Sequence, residues 1–157
     1  MENTDNTDNA QSAENAHSAD KTIRDIMTPD PVGVYFDQSI GETARIMRDA
    51  QVGAVLVVSG ESLTGVVTDR DLVVRGLAAG LSPDDPVGPL CSPKLVGVAA
   101  DADVSHAEQL IAENAVRRLP VIDGEGQIVG MVSLGDLAVS ASSDSPLAAV
   151  SRAAPNV

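Results

Sequence analysis

The sequence predicts an α/β (α+β) fold in which one β-α-β-β-α unit occurs twice, and three observations predict it. The first is an internal repeat across residues 21–139. A shift of 64 lays Pro29, Val32, Gly33, Val34 and Asp37 on Pro93, Val96, Gly97, Val98 and Asp101, and Val52, Val57, Gly60 and Glu61 on Val116, Val121, Gly124 and Glu125. One extra residue in the second copy makes the shift 65, and Gly65, Val67, Asp71, Leu72 and Val74 then meet Gly130, Val132, Asp136, Leu137 and Val139. Internal repeats of this kind are settled before any motif is read. The second observation is the near-continuous β-branched run Val52–Val58, a pattern expected of a strand buried on both faces. The third is a pair of segments, Gly65–Asp71 and Gly130–Asp136, that both read glycine, two apolar residues, a hydroxyl, two variable residues and aspartate.

The elements follow in order. Val32–Tyr35 forms a short strand after the Pro29/Pro31 turn. Ser39 with Glu42 makes a capping box that opens a helix burying Ile40, Ala44, Ile46 and Met47. Strand Val52–Val58 turns at Ser59-Gly60-Glu61-Ser62 and returns as Leu63–Val67. A second helix starts at Thr68 and ends near Gly80, whose freedom at positive φ suits the position after a helix end. The second copy reads Val96–Ala99, Val104–Asn114, Val116–Ile122, Ile128–Val132 and a helix from Ser133. A unit of about 60 residues buries only about 60% of its unfolded surface and is marginal alone. The two copies are therefore expected to pack about a pseudo-twofold axis with a cleft on it.

Composition narrows the function. The 157 residues carry 10 basic and 23 acidic side chains, for a net charge of −13, with 43% hydrophobic residues. Tyr35 and Phe36 are the whole aromatic set. So acidic a chain cannot present a dominant phosphate-gripping surface, and two rings do not make a base-stacking platform, so no nucleic acid is expected. Cys91 is the single cysteine, and with His17 and His106 the only histidines, neither a disulfide framework nor a Cys-rich metal site can be assembled. No run of about 18 apolar residues is present to enter a membrane. The N-terminus has neither a basic nor an apolar signal region, so the default location is cytoplasmic. Residues 1–20 hold Glu2, Asp5, Asp8, Glu14 and Asp20 with no base, and are expected to be a disordered acidic tail. Residues 142–157, Ala/Ser-rich with Pro146 and Pro155, are expected to be a second disordered tail.

The chemistry concentrates in the paired motifs. Thr68 and Ser133 read as N-caps, with Asp71 and Asp136 favoured in the first turn. A hydroxyl-capped helix start is also suited to anions, and a nearby carboxylate suits a ribose diol. Arg117-Arg118 stands out, because residues 21–139 carry nine bases against 17 acids. His106 reads as solvated. Cys91 reads as a packing residue with no adjacent base to activate it.

The doubled pattern resembles a tandem CBS-domain pair (Bateman module), a module found in adenine-nucleotide sensors. It covers roughly residues 22–140, divided as domain 1 over 21–85 and domain 2 over 86–141. Thr68-Asp69-Arg70-Asp71 with Gly76–Leu81 is similar to stand-alone bacterial CBS-pair proteins of the hypoxic-response type. The resemblance implies that Thr68 and Ser133 approach phosphate while Asp71 and Asp136 hold ribose hydroxyls. It implies an adenine pocket from Thr28, Val32, Val52, Gly53 and Ala54 for the Asp136 site, and from Ser92, Val96, Val116, Arg117 and Arg118 for the Asp71 site. Arg117, Arg118 and Arg70 suit phosphate oxygens, and Arg118 has the option of serving the Asp136 site instead. Gly53-Ala54 takes the place of the arginines in the first repeat, so the two sites are expected to be unequal. The implied function is non-enzymatic: a regulatory module binding AMP, ADP, ATP or S-adenosylmethionine, with no catalytic cofactor, an unknown protein partner, and a homodimer formed through apolar faces around Val73, Val74, Leu77 and Leu137. The alternatives are a structural module without ligand, and a nucleotide-processing enzyme with Asp71 or Asp136 as general base.

Overall fold

The computed structural model describes residues 21–60, 62–92 and 95–153. The expected tail 1–20 lies outside them. Helix α1 (Ile23–Ile26) and strand β1 (Thr28–Pro29) open the chain, followed by β2 (Gly33–Tyr35), α2 (Ile40–Asp49), β3 (Ala54–Ser59) and β4 (Ser62–Thr68). Helix α3 (Asp69–Asp71) runs on as a π-helical turn, Leu72–Gly76, and a 3-10 turn, Leu77–Ala79. Strand β5 (Val98–Ala99), helix α4 (Val104–Asn114), β6 (Arg118–Ile122), β7 (Ile128–Ser133), α5 (Leu134–Ala141) and α6 (Pro146–Arg152) complete the order.

Two compact units result, and neither matches one repeat of the sequence. The central unit is Pro31–Leu95; the terminal unit combines the described parts of Met1–Asp30 and Val96–Val157. Each unit therefore contains the opening segment of the other repeat. In the terminal unit β1 pairs antiparallel with β7, Thr28 opposite Met131, in a sheet of order β1-β7-β6-β5. In the central unit, whose sheet runs β2-β3-β4, Ser92 forms a bridge with Val66, its N–H donating to the Val66 carbonyl at 3.0 Å. Glycine makes both approaches possible. A Cβ on Gly65 would stand 2.7 Å from the Ser92 carbonyl oxygen, and one on Gly130 would stand 2.9 Å from that of Thr28.

Each unit has its own apolar core. Val34, Ile40, Met47, Val55, Val57, Val67, Leu72, Val87 and Leu90 fill the central one. Ile23, Val98, Val104, Ala107, Ile111, Leu119, Val121, Val132 and Leu137 fill the terminal one.

Several sequence expectations need correction. Helix α2 buries Thr43 rather than Ala44, because the Thr43 hydroxyl donates to the Ser39 carbonyl at 2.9 Å and so enters the core satisfied. Its capping box is half made: Ser39 accepts from the Glu42 N–H, but the Glu42 side chain pairs with Arg45 instead. The helix after Thr68 is regular for one turn only. It then widens where Gly76 lies close to Leu90 and Ile40, and stops at Gly80 with φ of 82°. The tail expected at 142–157 is helical over Pro146–Arg152: Ser145 caps it, accepting from the Ala148 N–H at 3.1 Å, and Ala148 is fully buried. Finally, Leu137 belongs to the terminal core and is unavailable to a partner, whereas Val73, Val74 and Leu77 are at least half exposed.

Candidate functional site

The two motifs fold alike because the same four kinds of residue meet at the same strand-to-helix turn. Strand β4 delivers Thr68 in extended conformation and the chain turns directly into α3. The Asp71 Oδ2 accepts from the Thr68 N–H at 2.9 Å and from its hydroxyl at 2.6 Å, while the Asp71 N–H donates back to Thr68 Oγ1 at 3.2 Å. At the end of β7 the Asp136 Oδ2 accepts from the Ser133 N–H at 2.8 Å and its hydroxyl at 2.7 Å, and the Asp136 N–H donates to Ser133 Oγ at 3.4 Å. Both are complete capping boxes. Each spends one carboxylate oxygen on the helix start, and an ionised carboxylate has about four lone-pair sites.

A backbone link ties each motif to the neighbouring strand. The Asp69 N–H donates to the Gly53 carbonyl at 3.2 Å, and the Leu134 N–H donates to the Arg117 carbonyl at 3.1 Å. Ala54 consequently stands opposite Thr68 in the ladder, and Arg118 opposite Ser133.

The sequence-derived residues divide between the units as follows. Thr68, Arg70, Asp71, Val32, Val52, Gly53, Ala54 and Ser92 are in the central unit. Thr28, Val96, Val116, Arg117, Arg118, Ser133 and Asp136 are in the terminal unit. Thr28 reaches the Ser133 strand through β1, and Ser92 reaches the Thr68 strand through its bridge to Val66. Arg70, Arg117 and Arg118 are exposed.

Sequence reasoning passed over Arg75. Its guanidinium donates to the Leu90 carbonyl at 2.9 Å, and its Nε lies 3.9 Å from Asp71 Oδ1. The spacing Asp71-to-Arg75, four residues along a helix, was the available signal. A third capping box was also missed: Asp25 Oδ2 accepts from the Thr22 N–H at 2.9 Å and hydroxyl at 2.8 Å. Those hydrogen bonds, the backbone one foremost, hold the Asp25 carboxyl below the ordinary aspartate range. Cys91 is half-buried, and burial pushes its thiol up, so it is protonated at neutral pH. An open depression in the central unit is lined by Phe36, Thr64, Arg75, Gly88, Pro89, Leu90 and Cys91, none of them an expected ligand residue. Among the described residues no group of three or more His, Cys, Asp or Glu is placed to hold a metal ion, and no helix is long and apolar enough to cross a membrane.

A family model, the CBS domain, matches the chain twice, over residues 23–76 and 87–143. The chain belongs to the CBS-domain family. Each match spans one sequence repeat, and each motif described above closes the strand-turn-helix part of a CBS repeat. Among curated relatives, the CBS domain-containing protein YhcV of Bacillus subtilis is 39% identical over 119 residues, 76% of this chain and 84% of its own length. Hypoxic response protein 1 of Mycobacterium tuberculosis is 36% identical, covering 74% of this chain and 82% of its own. A crystal structure of Hypoxic Response Protein I with two coordinated zinc ions superposes with a TM-score of 0.67 over 75% of this chain and 97% of that one. CBSX2, solved in complex with AMP, is 27% identical with a TM-score of 0.64, covering 76% of this chain and 95% of its own.

Proposed function

We propose that this CBS pair is a non-enzymatic regulatory module that binds an adenosyl ligand, of the AMP, ADP, ATP or S-adenosylmethionine kind, and passes its occupancy to a protein partner. The observation that carries this reading is the duplicated capping box, in which Asp71 and Asp136 each keep one carboxylate oxygen outside the box beside a hydroxyl-capped helix start. A carboxylate held in that way suits a ribose diol. The complex of CBSX2 with AMP supports the ligand class. Thr68, Arg70, Asp71, Ser92, Val96, Val116, Arg117 and Arg118 form the proposed set around one motif, and Thr28, Val32, Val52, Gly53, Ala54, Ser133 and Asp136 the set around the other. The exposed Val73, Val74 and Leu77 support self-association as a homodimer.

One observation favours a purely structural reading: Thr22 and Asp25 make the same box outside either motif. That third box is the control. Calorimetric titration with adenosine, AMP and ATP should show Asp71→Ala or Asp136→Ala weakening every ribose-bearing ligand by roughly tenfold, or about 1.4 kcal/mol. Asp25→Ala should leave the affinities unchanged. Arg117→Ala/Arg118→Ala should weaken ATP more than adenosine. Affinities indifferent to both motif aspartates would reduce the motifs to helix caps.

A further inference from the structure

The second motif carries something the first lacks. After α5 the chain turns at Ser142–Ser145 and comes back as α6, so that Ser151, near the end of α6, meets Gly135 in the first turn of α5. A Cβ on Gly135 would stand 3.0 Å from Ser151 Oγ, 3.2 Å from Ser151 Cβ and 3.4 Å from Ser133 Oγ. The motif hydroxyl and the Ser151 hydroxyl thus flank one point in space beside the first turn of α5, and a phosphate that approached Ser133 from this side would meet Ser151. Electrostatics act in the same direction. The carbonyl end of α6 carries the partial negative charge that the N-terminal end of α5 attracts, and an anion would compete for that place. In the central unit the position matching Gly135 is Arg70, and the chain beyond α3 leaves at Gly80 to run beside α2, where the Gly41 N–H donates to the Pro83 carbonyl at 2.8 Å.

The docking of α6 is shallow. Its single buried residue is Ala148, while Leu147 and Val150 are 61% and 72% exposed. Ser145 at its start and a hydrogen bond from the Arg152 guanidinium to the Ser143 carbonyl hold the helix in shape rather than to the core. A seven-residue helix has little stability of its own, so what keeps it ordered is one small apolar contact and the fit over Gly135.

We propose that α6 is a strap over the second motif: docked, it closes Ser133–Asp136 to the phosphate of an adenosyl ligand, and undocked, it opens that motif, leaving the Asp71 motif as the one that binds in the resting chain. The inference rests on the adenosyl reading above and adds regulation to it.

Two full-length variants test it. Ala148→Asp places a charge at the buried contact. Ala149→Pro removes the N–H that donates to the Ser145 carbonyl at 3.0 Å, at an exposed position away from the core. Far-ultraviolet circular dichroism checks that each variant folds, and calorimetric titration with AMP reads the result. The wild type should bind one AMP per chain, lost in Asp71→Asn. Both strap variants should gain a second event, tightened by roughly tenfold or more and removed by adding Asp136→Asn. Two Asp71- and Asp136-dependent events already present in the wild type, or a single event unchanged in both folded variants, would overturn the strap and leave the adenosyl reading standing. Absence of AMP binding in every form would overturn both.

Discussion

The central and terminal units carry the same backbone and different side chains at the same place. Both have a glycine where a foreign segment crosses the last strand, a hydroxyl cap, an aspartate that closes the capping box, and an N–H bonded back to the strand before. Arg70 and Arg75 of the central unit are replaced by Gly135 and Ser140 in the terminal one. Arg75 spans from Asp71 to the Leu90 carbonyl, whereas the Ser140 hydroxyl is buried with no hydrogen-bond partner among the described residues. In the terminal unit the motif helix packs against α6 instead. The difference teaches that the repeat conserves a way of turning a strand into a helix, while charge and access at the turn are set separately in each copy.

The comparison is tested most severely in the two cores. Leu119 and Val55 occupy matching positions and are both essentially inaccessible. Leu119→Ala should cost about 2–5 kcal/mol in urea unfolding. Val55→Ala removes one carbon fewer and should cost less by about 0.8 kcal/mol. Equal losses would show that the units are not packed equivalently.

The crossing glycines come next. Gly65→Ala and Gly130→Ala each drive a methyl into a carbonyl oxygen of the exchanged segment, and each should destabilise by about 1–3 kcal/mol. Hydrogen exchange should rise at Ser92 in the first variant and around Thr28 in the second. Protection unchanged at both would mean that the exchanged segments do not depend on these glycines.

The smallest effect is the one that belongs to the terminal unit alone, the Thr22–Asp25 box. Because the Asp25 carboxyl is held below its ordinary range, its contribution to stability is complete above the unfolded aspartate value and is lost as pH falls through the lowered one. Thr22→Val should return the Asp25 titration toward ordinary values by carbon-detected NMR. It should also narrow the difference in urea midpoint between pH 7 and pH 3. A wild-type Asp25 that already titrates at ordinary aspartate values would remove the acid-sensitive distinction between the units.

Much of this was legible in the chain itself. The repeat, the seven-residue motifs, the β-branched strands and the helix ends at Ser39, Gly80 and Ser133 are local: each depends on residues within a few positions of one another and on backbone rules that every chain obeys. The motif hydroxyl and carboxylate were legible for the same reason, since a capping box closes over three residues. What the sequence by itself did not determine is which segments share a core. That β1 joins β7, and that Ser92 joins Val66, depends on close approach at Gly130 and Gly65 between segments far apart along the chain, and a glycine in sequence does not say what passes over it. The same holds for Arg75, whose carbonyl partner lies 15 residues away, and for α6. Its Ala/Ser-rich composition reads as unstructured until the turn at Ser142–Ser145 buries Ala148 and sets Ser151 over Gly135, because a short helix with one buried alanine is stable only where tertiary packing supplies the contact.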